Sequence, residues 1–154
     1  MLHAKLLLNF HSSVTARYFS AAVATEESRL AFVNNILTVY TDFDLDGVDI
    51  DWEYPGRLGA RGNKWNPNDT DNLFLFLQLL RSVLPPSARI SAAAETTVFT
   101  SGLGTPMTNA SHFATVLDWV LLMNYDVWDC KLTKSQHTSI LTIHAVLSFL
   151  ETWA

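Results

Sequence analysis

Hydrophobic and polar residues follow two different spacings along this chain, and the change of spacing predicts its elements. Short apolar runs and period-two alternation predict four β-strands, at Lys5–Phe10, Gly47–Tyr54, the run ARISAAAE and the run DWVLLMNYD. Apolar residues three or four apart predict helices after Thr25, from about Asp69 to Leu84, around Ser111–Leu117 and near Ser135–Trp153. The order is therefore strand and helix in alternation.

Such alternation predicts a parallel sheet with helices packed outside it. The run DWVLLMNYD is almost wholly apolar, which is typical of a strand covered on both faces. A doubly wound sheet and a (β/α) barrel both fit this order. No glycine-rich phosphate loop follows a strand, which counts against a nucleotide-binding fold.

Composition narrows the class of protein. Hydrophobic residues make up 49% of the 154 residues and charged residues 16%, which suits a buried globular fold. The net charge of −5 disfavours a nucleic-acid surface, and no apolar run approaches the length of a membrane span. Cys130 is the single cysteine, so no internal disulfide is expected. The basic residues of the loop GRLGARGNKW are expected to be simply solvated.

The segment DFDLDGVDIDWEYPG allows two interpretations. Its acidic residues match the calcium-loop pattern D-x-[DN]-x-[DN]-G-x5-E. However, Asp49 occupies a position that should be apolar, and Pro55 prevents the exiting helix that such a loop requires. Period-two alternation instead predicts a strand. We therefore expect no metal here.

On a strand, three carboxylates share one face about 6.5–7 Å apart, namely Asp49, Asp51 and Glu53. Carboxylates on a buried face are costly to ionise together, and such clusters supply general acids. The alternative is an acidic edge facing solvent, with the intervening residues inward, namely Val48, Ile50 and Trp52. Glu53 lies at the carboxyl end of a parallel strand, where barrel active sites are found.

The run LDGVDIDWEYP resembles the D-G-x-D-x-D-x-E signature of the family 18 glycoside hydrolases, the chitinases and their relatives. The run LLMNYDVW is similar to the Met-x-Tyr-Asp strand of that family. Between Arg17 and Trp128 the chain looks like a fungal-type chitinase. The resemblance implies part of a (β/α)8 TIM barrel, covering roughly strands three to six, with Glu53 on the fourth strand and Tyr125 on the sixth.

The resemblance also implies a mechanism. Family 18 enzymes are retaining but use the substrate in place of an enzymic nucleophile. Glu53 would protonate the glycosidic oxygen, Asp51 would orient the substrate's 2-acetamido group with Asp49 behind it, and Tyr125 would hold the acetamido oxygen. No cofactor is implied.

The same resemblance implies the substrate and its contacts. Chitin or an N-acetylglucosamine oligosaccharide would be the partner, with neither nucleic acid nor membrane involved. Four residues would contact the sugar, namely Asp126, Met123, Tyr54 and Trp128. Trp52 is expected in the core, because aromatic residues are usually buried, and the same holds singly for Trp65 and Phe99. Secretion is implied by the family, although the chain shows no convincing signal peptide.

Three departures from the family pattern matter. A closed barrel takes about 250 residues, and strands one, two, seven and eight have no counterpart here. Asn9-Phe10-His11-Ser12 stands where the family has a Ser-x-Gly-Gly stretch. After Trp128 the family pattern ends, so residues 1–128 are expected to be a partial catalytic domain and residues 129–154 a divergent helical tail. The alternatives to a hydrolase are a non-catalytic carbohydrate-binding protein and an inactive truncated gene product. Open sheet edges would favour self-association.

Overall fold

The computed structural model describes residues 7–59, 62–95 and 99–123, without the side chains of residues 10–17. These residues form four strands, three α-helices and one short 3-10 helix. The strands are β1 Leu7–His11, β2 Gly47–Asp51, β3 Arg89–Ala94 and β4 Trp119–Leu122. The helices are α1 Ser12–Val23, α2 Glu26–Asp42 and α3 Asp69–Val83, and the 3-10 helix is η1 Ser111–Thr115.

All four strands are parallel, and their order in the sheet is their order in the chain. In a doubly wound sheet the strand order reverses at a switch point, whereas in a barrel each strand lies beside the next. The structure therefore decides between the two arrangements that the sequence left open. The sheet with its helices is part of an α/β barrel, as predicted.

The register of the sheet places polar residues of neighbouring strands side by side. Asn9 of β1 pairs with Asp49 of β2, which pairs with Ser91 of β3. Gly47 makes the close approach of β2 to β3 possible, because a Cβ there would lie 2.2 Å from the carbonyl oxygen of Arg89. One face of the sheet thus carries a row of polar side chains.

The core lies on the other face, between the sheet and the helices. The strands contribute Val48, Ile50, Ile90 and Ala92, and the helices contribute Phe19, Val33, Ile36, Leu73, Phe76, Leu77 and Leu80. Burying each large apolar side chain stabilises the fold by about 1.5–3 kcal/mol. Trp52 stacks on Phe19 with ring centroids 5.2 Å apart, which confirms the prediction that Trp52 is a core residue.

Local signals begin and end the predicted helices as expected. Thr25 caps α2 through a reciprocal pair of hydrogen bonds with Ser28, and Glu26 and Glu27 lie in the first turn. The helix α3 begins at Asp69 and ends at Val83, and its C-cap residue Leu84 has an extended backbone before Pro85. No helix among the described residues is both long and apolar enough to cross a bilayer.

Three features differ from the sequence predictions. The helix α1 was not predicted, because its sequence SSVTARYFSAAV shows no clear helical period of large apolar residues. The strand β2 ends at Asp51 rather than Tyr54, since its pairing with β3 stops at Ile50. In β4, Leu121 is 47% exposed, so this outermost strand of the described sheet is not covered on both faces. The predicted helix near 135–153 lies outside the described residues.

Candidate active site

Asp49 is the buried anchor of the acidic face. The residue is only 6% exposed, and its carboxylate accepts hydrogen bonds on both oxygens. Asn9 Nδ2 donates to Oδ2 and Ser91 Oγ donates to Oδ1, each over 2.6 Å. Hydrogen bonds to an ionised group are the stronger class, so two strands hold this carboxylate in place. Asn9 and Ser91 were not recognised from the sequence, because their contact with Asp49 depends on the register between strands.

The acidic face opens toward the carboxyl end of the sheet. Asp51, at the end of β2, is 9% exposed, and Glu53, two residues beyond, is partly exposed. The alternative of a solvent-facing acidic edge is therefore wrong for Asp49 and Asp51. The reason is that all five residues of β2 are buried, so neither face of this strand is open to solvent.

The same segment has no helix–loop–helix form. Asp42 ends α2, Asp44 takes a left-handed backbone conformation with φ 49°, and β2 begins at Gly47. Across the part of the chain that the structure describes, no three His, Cys, Asp or Glu side chains are grouped closely enough to hold a metal ion. The segment is thus a helix–turn–strand unit that delivers carboxylates to the sheet edge.

The loop after β2 folds back on the main chain of Glu53. The Glu53–Tyr54 peptide bond is cis, and Asn63 Nδ2 donates a hydrogen bond of 3.3 Å to the Glu53 carbonyl. Gly59 lies so close that a Cβ there would be 2.0 Å from the same oxygen. The backbone of Glu53 is therefore enclosed by its own loop, while the side chain stays accessible.

Tyr54 lies in a polar cluster beside this loop. The Arg57 guanidinium lies 3.8 Å from the centroid of the Tyr54 ring, and Arg57 forms an ion pair with Glu95. Burial raises the pKa of Tyr54 well above its usual value, and a hydrogen bond to the Glu95 carboxylate raises it further. The expectation that the basic loop residues are simply solvated is wrong for Arg57, because Glu95 of the next loop pairs with it.

A third buried carboxylate, Asp69, links α1 to the loop that follows β2. It accepts hydrogen bonds from Ser20 Oγ at 2.7 Å and from the Asn66 N–H at 2.6 Å. Burial raises its pKa, and these hydrogen bonds partly oppose the effect. Next to it, Thr70 Oγ1 donates to the Thr100 carbonyl. The sequence indicated Asp69 only as a helix start.

The remaining predicted site residues come from the carboxyl-terminal part. Met123 follows β4, is buried, and donates its N–H to the carbonyl of Ala94 over 2.8 Å. Tyr125, Asp126 and Trp128 lie outside the described residues. Phe99 packs on Phe113 with centroids 4.2 Å apart and is a core residue, whereas Trp65 is 47% exposed.

Comparison with known proteins bears directly on this arrangement. The family model for glycosyl hydrolases family 18 matches residues 3–151. The chain belongs to that family. The match also takes in residues 129–151, so a division of this family 18 chain at residue 128 remains only a prediction.

Individual relatives agree with the family match. The chain is 40% identical over 115 residues to a chitinase-like effector of Moniliophthora roreri, covering 73% of this chain and 27% of that protein. It is 32% identical over 111 residues to chitinase A1 of Niallia circulans, covering 70% of this chain and 16% of that protein. The chain thus spans about a quarter or less of these curated relatives.

A solved structure supports the fold of this family 18 chain. The crystal structure of a chitinase from Rhizomucor miehei superposes with a TM-score of 0.76 at 30% sequence identity. The superposition covers 80% of this chain and 40% of the solved one. The four strands therefore correspond to part of a TIM barrel.

Proposed function

We propose that this chain carries the acid/base machinery of a retaining hydrolase of chitin or chitooligosaccharides, the polymers of β-1,4-linked N-acetylglucosamine. The observation that supports this most strongly is the graded burial of three carboxylates. Asp49 is buried and held from two strands, Asp51 is buried at the strand end, and Glu53 is accessible just beyond it. Only the last can exchange a proton with a bound substrate.

Each carboxylate would have its own task. Glu53 donates its proton to the glycosidic oxygen as the bond from that oxygen to the anomeric carbon breaks. The oxygen of the substrate's 2-acetamido group forms a new bond to the anomeric carbon, giving an oxazolinium ion. Asp51 orients the acetamido N–H and shares negative charge with Asp49. Water then attacks the anomeric carbon, Glu53 accepts the water's proton, and the configuration is retained.

Five further residues would complete the site. Tyr125 would hold the acetamido oxygen, Asp126 would contact the sugar, Met123 would pack beneath it, and Tyr54 and Trp128 would lie along the sugar chain. Of these, Tyr54 and Met123 belong to the described residues and follow β2 and β4, whose carboxyl ends lie at the same edge of the sheet. By analogy with its relatives, we also propose that the protein acts outside the cell.

The test is turnover of a fluorogenic chitobioside by the 154-residue chain and its variants. Glu53→Gln keeps shape and hydrogen bonding but loses the proton, so turnover should fall by about 10²–10⁴-fold while sugar binding is kept. Asp51→Asn should also lower the rate strongly. Glu26→Gln, the same change at an exposed position of α2, is the matched control and should have no effect. Full turnover by Glu53→Gln would refute the assigned acid.

A non-catalytic carbohydrate-binding role is the second candidate. It is favoured by the 40% identity to a protein named a chitinase-like effector. The presence of Glu53, the residue that would supply the proton, favours the hydrolase instead. Isothermal titration with chitotetraose distinguishes the two, since a binding protein would bind the oligosaccharide without releasing shorter products. The outermost strands β1 and β4 of the described sheet are where self-association would take place.

A further inference from the structure

The loops that follow β2 and β3 are joined at one place by three side chains. Arg57 of the first loop forms an ion pair with Glu95, which directly follows β3. The Arg57 guanidinium also lies over the Tyr54 ring, 3.8 Å from its centroid. The Glu95 carboxylate lies close enough to the Tyr54 phenol to raise its pKa. Arg57 thus contacts both other side chains, and Glu95 lies beside the phenol.

This triangle forms one wall of a cleft. Its lining includes Trp52, Tyr54, Arg57, Glu95, Phe99 and Thr100. Tyr54 directly follows Glu53, and the Glu53 carboxylate lies near enough to the phenol to raise its pKa electrostatically. The triangle therefore lies at the same sheet edge as the proposed acid.

The contacts restrict the aromatic ring in two ways. A cation over one face of the ring is attracted to its π electrons and blocks that face. A carboxylate beside the phenol can accept its proton in a hydrogen bond and so restrict the far end of the side chain. The side chains of Arg57 and Glu95 are both about one-third exposed, so each could be hydrated by solvent instead of forming these contacts. The arrangement leaves the rest of the Tyr54 ring as the surface that a ligand can meet.

We propose that Arg57 and Glu95 are positioning residues that hold the Tyr54 side chain in a fixed orientation at the cleft wall beside Glu53. The role of this orientation in sugar binding rests on the proposed function. A fixed aromatic surface would contact the apolar face of a pyranose ring next to the reacting bond. The orientation itself can be tested without any catalysis.

The first experiment measures Tyr54 directly by NMR on the 154-residue chain labelled with 13C at tyrosine Cζ. Tyr54→Phe assigns the signal. Glu95→Ala and Arg57→Met should each shift the Cζ resonance, whereas Glu95→Gln, which keeps an acceptor oxygen beside the phenol, should restore most of the wild-type signal. An unchanged Tyr54 signal in both Glu95→Ala and Arg57→Met would overturn the proposal.

Arg89→Gln is the matched control. Arg89 forms an ion pair with Asp118 at the opposite end of β3, so its loss should leave the Tyr54 resonance unaltered. If Arg89→Gln changed the signal as much as Glu95→Ala did, the effect would be general loosening of the sheet and the proposal would fail. Circular dichroism on every variant checks that each is folded.

The second experiment measures chitotetraose binding in a Glu53→Gln background, where no substrate is consumed. Glu95→Ala should weaken binding about 3- to 30-fold, the usual range for coupled neighbours. In a chain that already carries Tyr54→Ala, Glu95→Ala should not weaken chitotetraose binding further. If Glu95→Ala weakened binding equally with and without the Tyr54 side chain, the proposal would be contradicted. If the parent chain does not bind chitotetraose at all, the proposed function fails, and the NMR result still decides the orientation.

Discussion

Asp49 and Ser91 are paired across β2 and β3 and joined by a hydrogen bond of 2.6 Å from Ser91 Oγ to Asp49 Oδ1. Because Asn9 occupies the same position on β1, one buried carboxylate is held by both neighbouring strands. This contact connects the register of the sheet to the candidate site. A shift of one residue would turn Asp49 into the apolar core.

The first prediction concerns this anchor. Ser91→Ala removes a donor from a buried carboxylate and should lower the free energy of unfolding by about 1–3 kcal/mol. Ser82→Ala, at an exposed position of α3, is the matched control and should change it by less than about 0.5 kcal/mol. Urea unfolding measures both. Equal effects of the two substitutions would show that the hydrogen bond to Asp49 does not stabilise the sheet.

The second prediction concerns Asp118, which receives hydrogen bonds from the Ile90 N–H, Arg81 and Arg89. Burial acts to raise its pKa, but these three donors together lower the pKa below its ordinary value of 3.8. The ionised Asp118 carboxylate therefore stabilises the folded state above pH 3.8, and this stabilisation is lost as the pH falls through the lowered pKa. Asp118→Asn should flatten that acid limb of the stability curve. Urea unfolding at several pH values measures this. If the free energy of unfolding of Asp118→Asn fell with acid as steeply as that of the wild type, the ion pairs of Asp118 would not cause the loss of stability.

The third prediction concerns Asp69 and has the opposite sign. Burial raises the pKa of Asp69 above 3.8, so the protonated carboxyl group favours the folded state. This contribution to the free energy of unfolding is complete below pH 3.8 and is lost as the pH rises through the raised pKa. The stability of the wild-type chain relative to Asp69→Asn should therefore fall with rising pH in that window. A difference that stays constant with pH would show that the carboxyl group is not desolvated.

The fourth prediction concerns Gly59. Because glycine has no Cβ, the loop after β2 can pack against the backbone of Glu53 at this position. A Cβ there would lie 2.0 Å from the Glu53 carbonyl oxygen, so Gly59→Ala must displace the backbone that carries the proposed acid. A displacement of about 1 Å can lower a rate on the order of 10²-fold. Leu58→Ala changes the adjacent, exposed residue and should leave turnover unaltered. Equal turnover of the Gly59 variant and wild type would mean that the loop does not fix Glu53.

The comparison of sequence with structure shows which signals are local. The alternation around Asp49 predicted the strand and its acidic face, and Thr25 predicted the start of α2, because both depend on neighbours in sequence. Asn9 and Ser91 could not be assigned, since their role depends on which residues lie opposite each other in a sheet. The order of the strands was likewise undetermined, because alternation of strand and helix is common to both kinds of parallel sheet.

Arg57 and Glu95 illustrate the same limit at the candidate site. Arg57 occupies a polar loop, where a charged residue is usually solvated, and Glu95 is the last residue of the predicted strand ARISAAAE, far from Arg57 in sequence. Their ion pair arises because the carboxyl ends of adjacent parallel strands bring the following loops together.

The central claim is that Glu53 acts as acid and base in a retaining mechanism assisted by the substrate. The most direct measurement is proton NMR of the reducing-end sugar first released when the 154-residue chain acts on chitotetraose. We predict that the new reducing end appears as the β anomer and equilibrates with the α anomer only later. Initial release of the α anomer would contradict the account, because it would require direct attack by water activated by a second carboxylate.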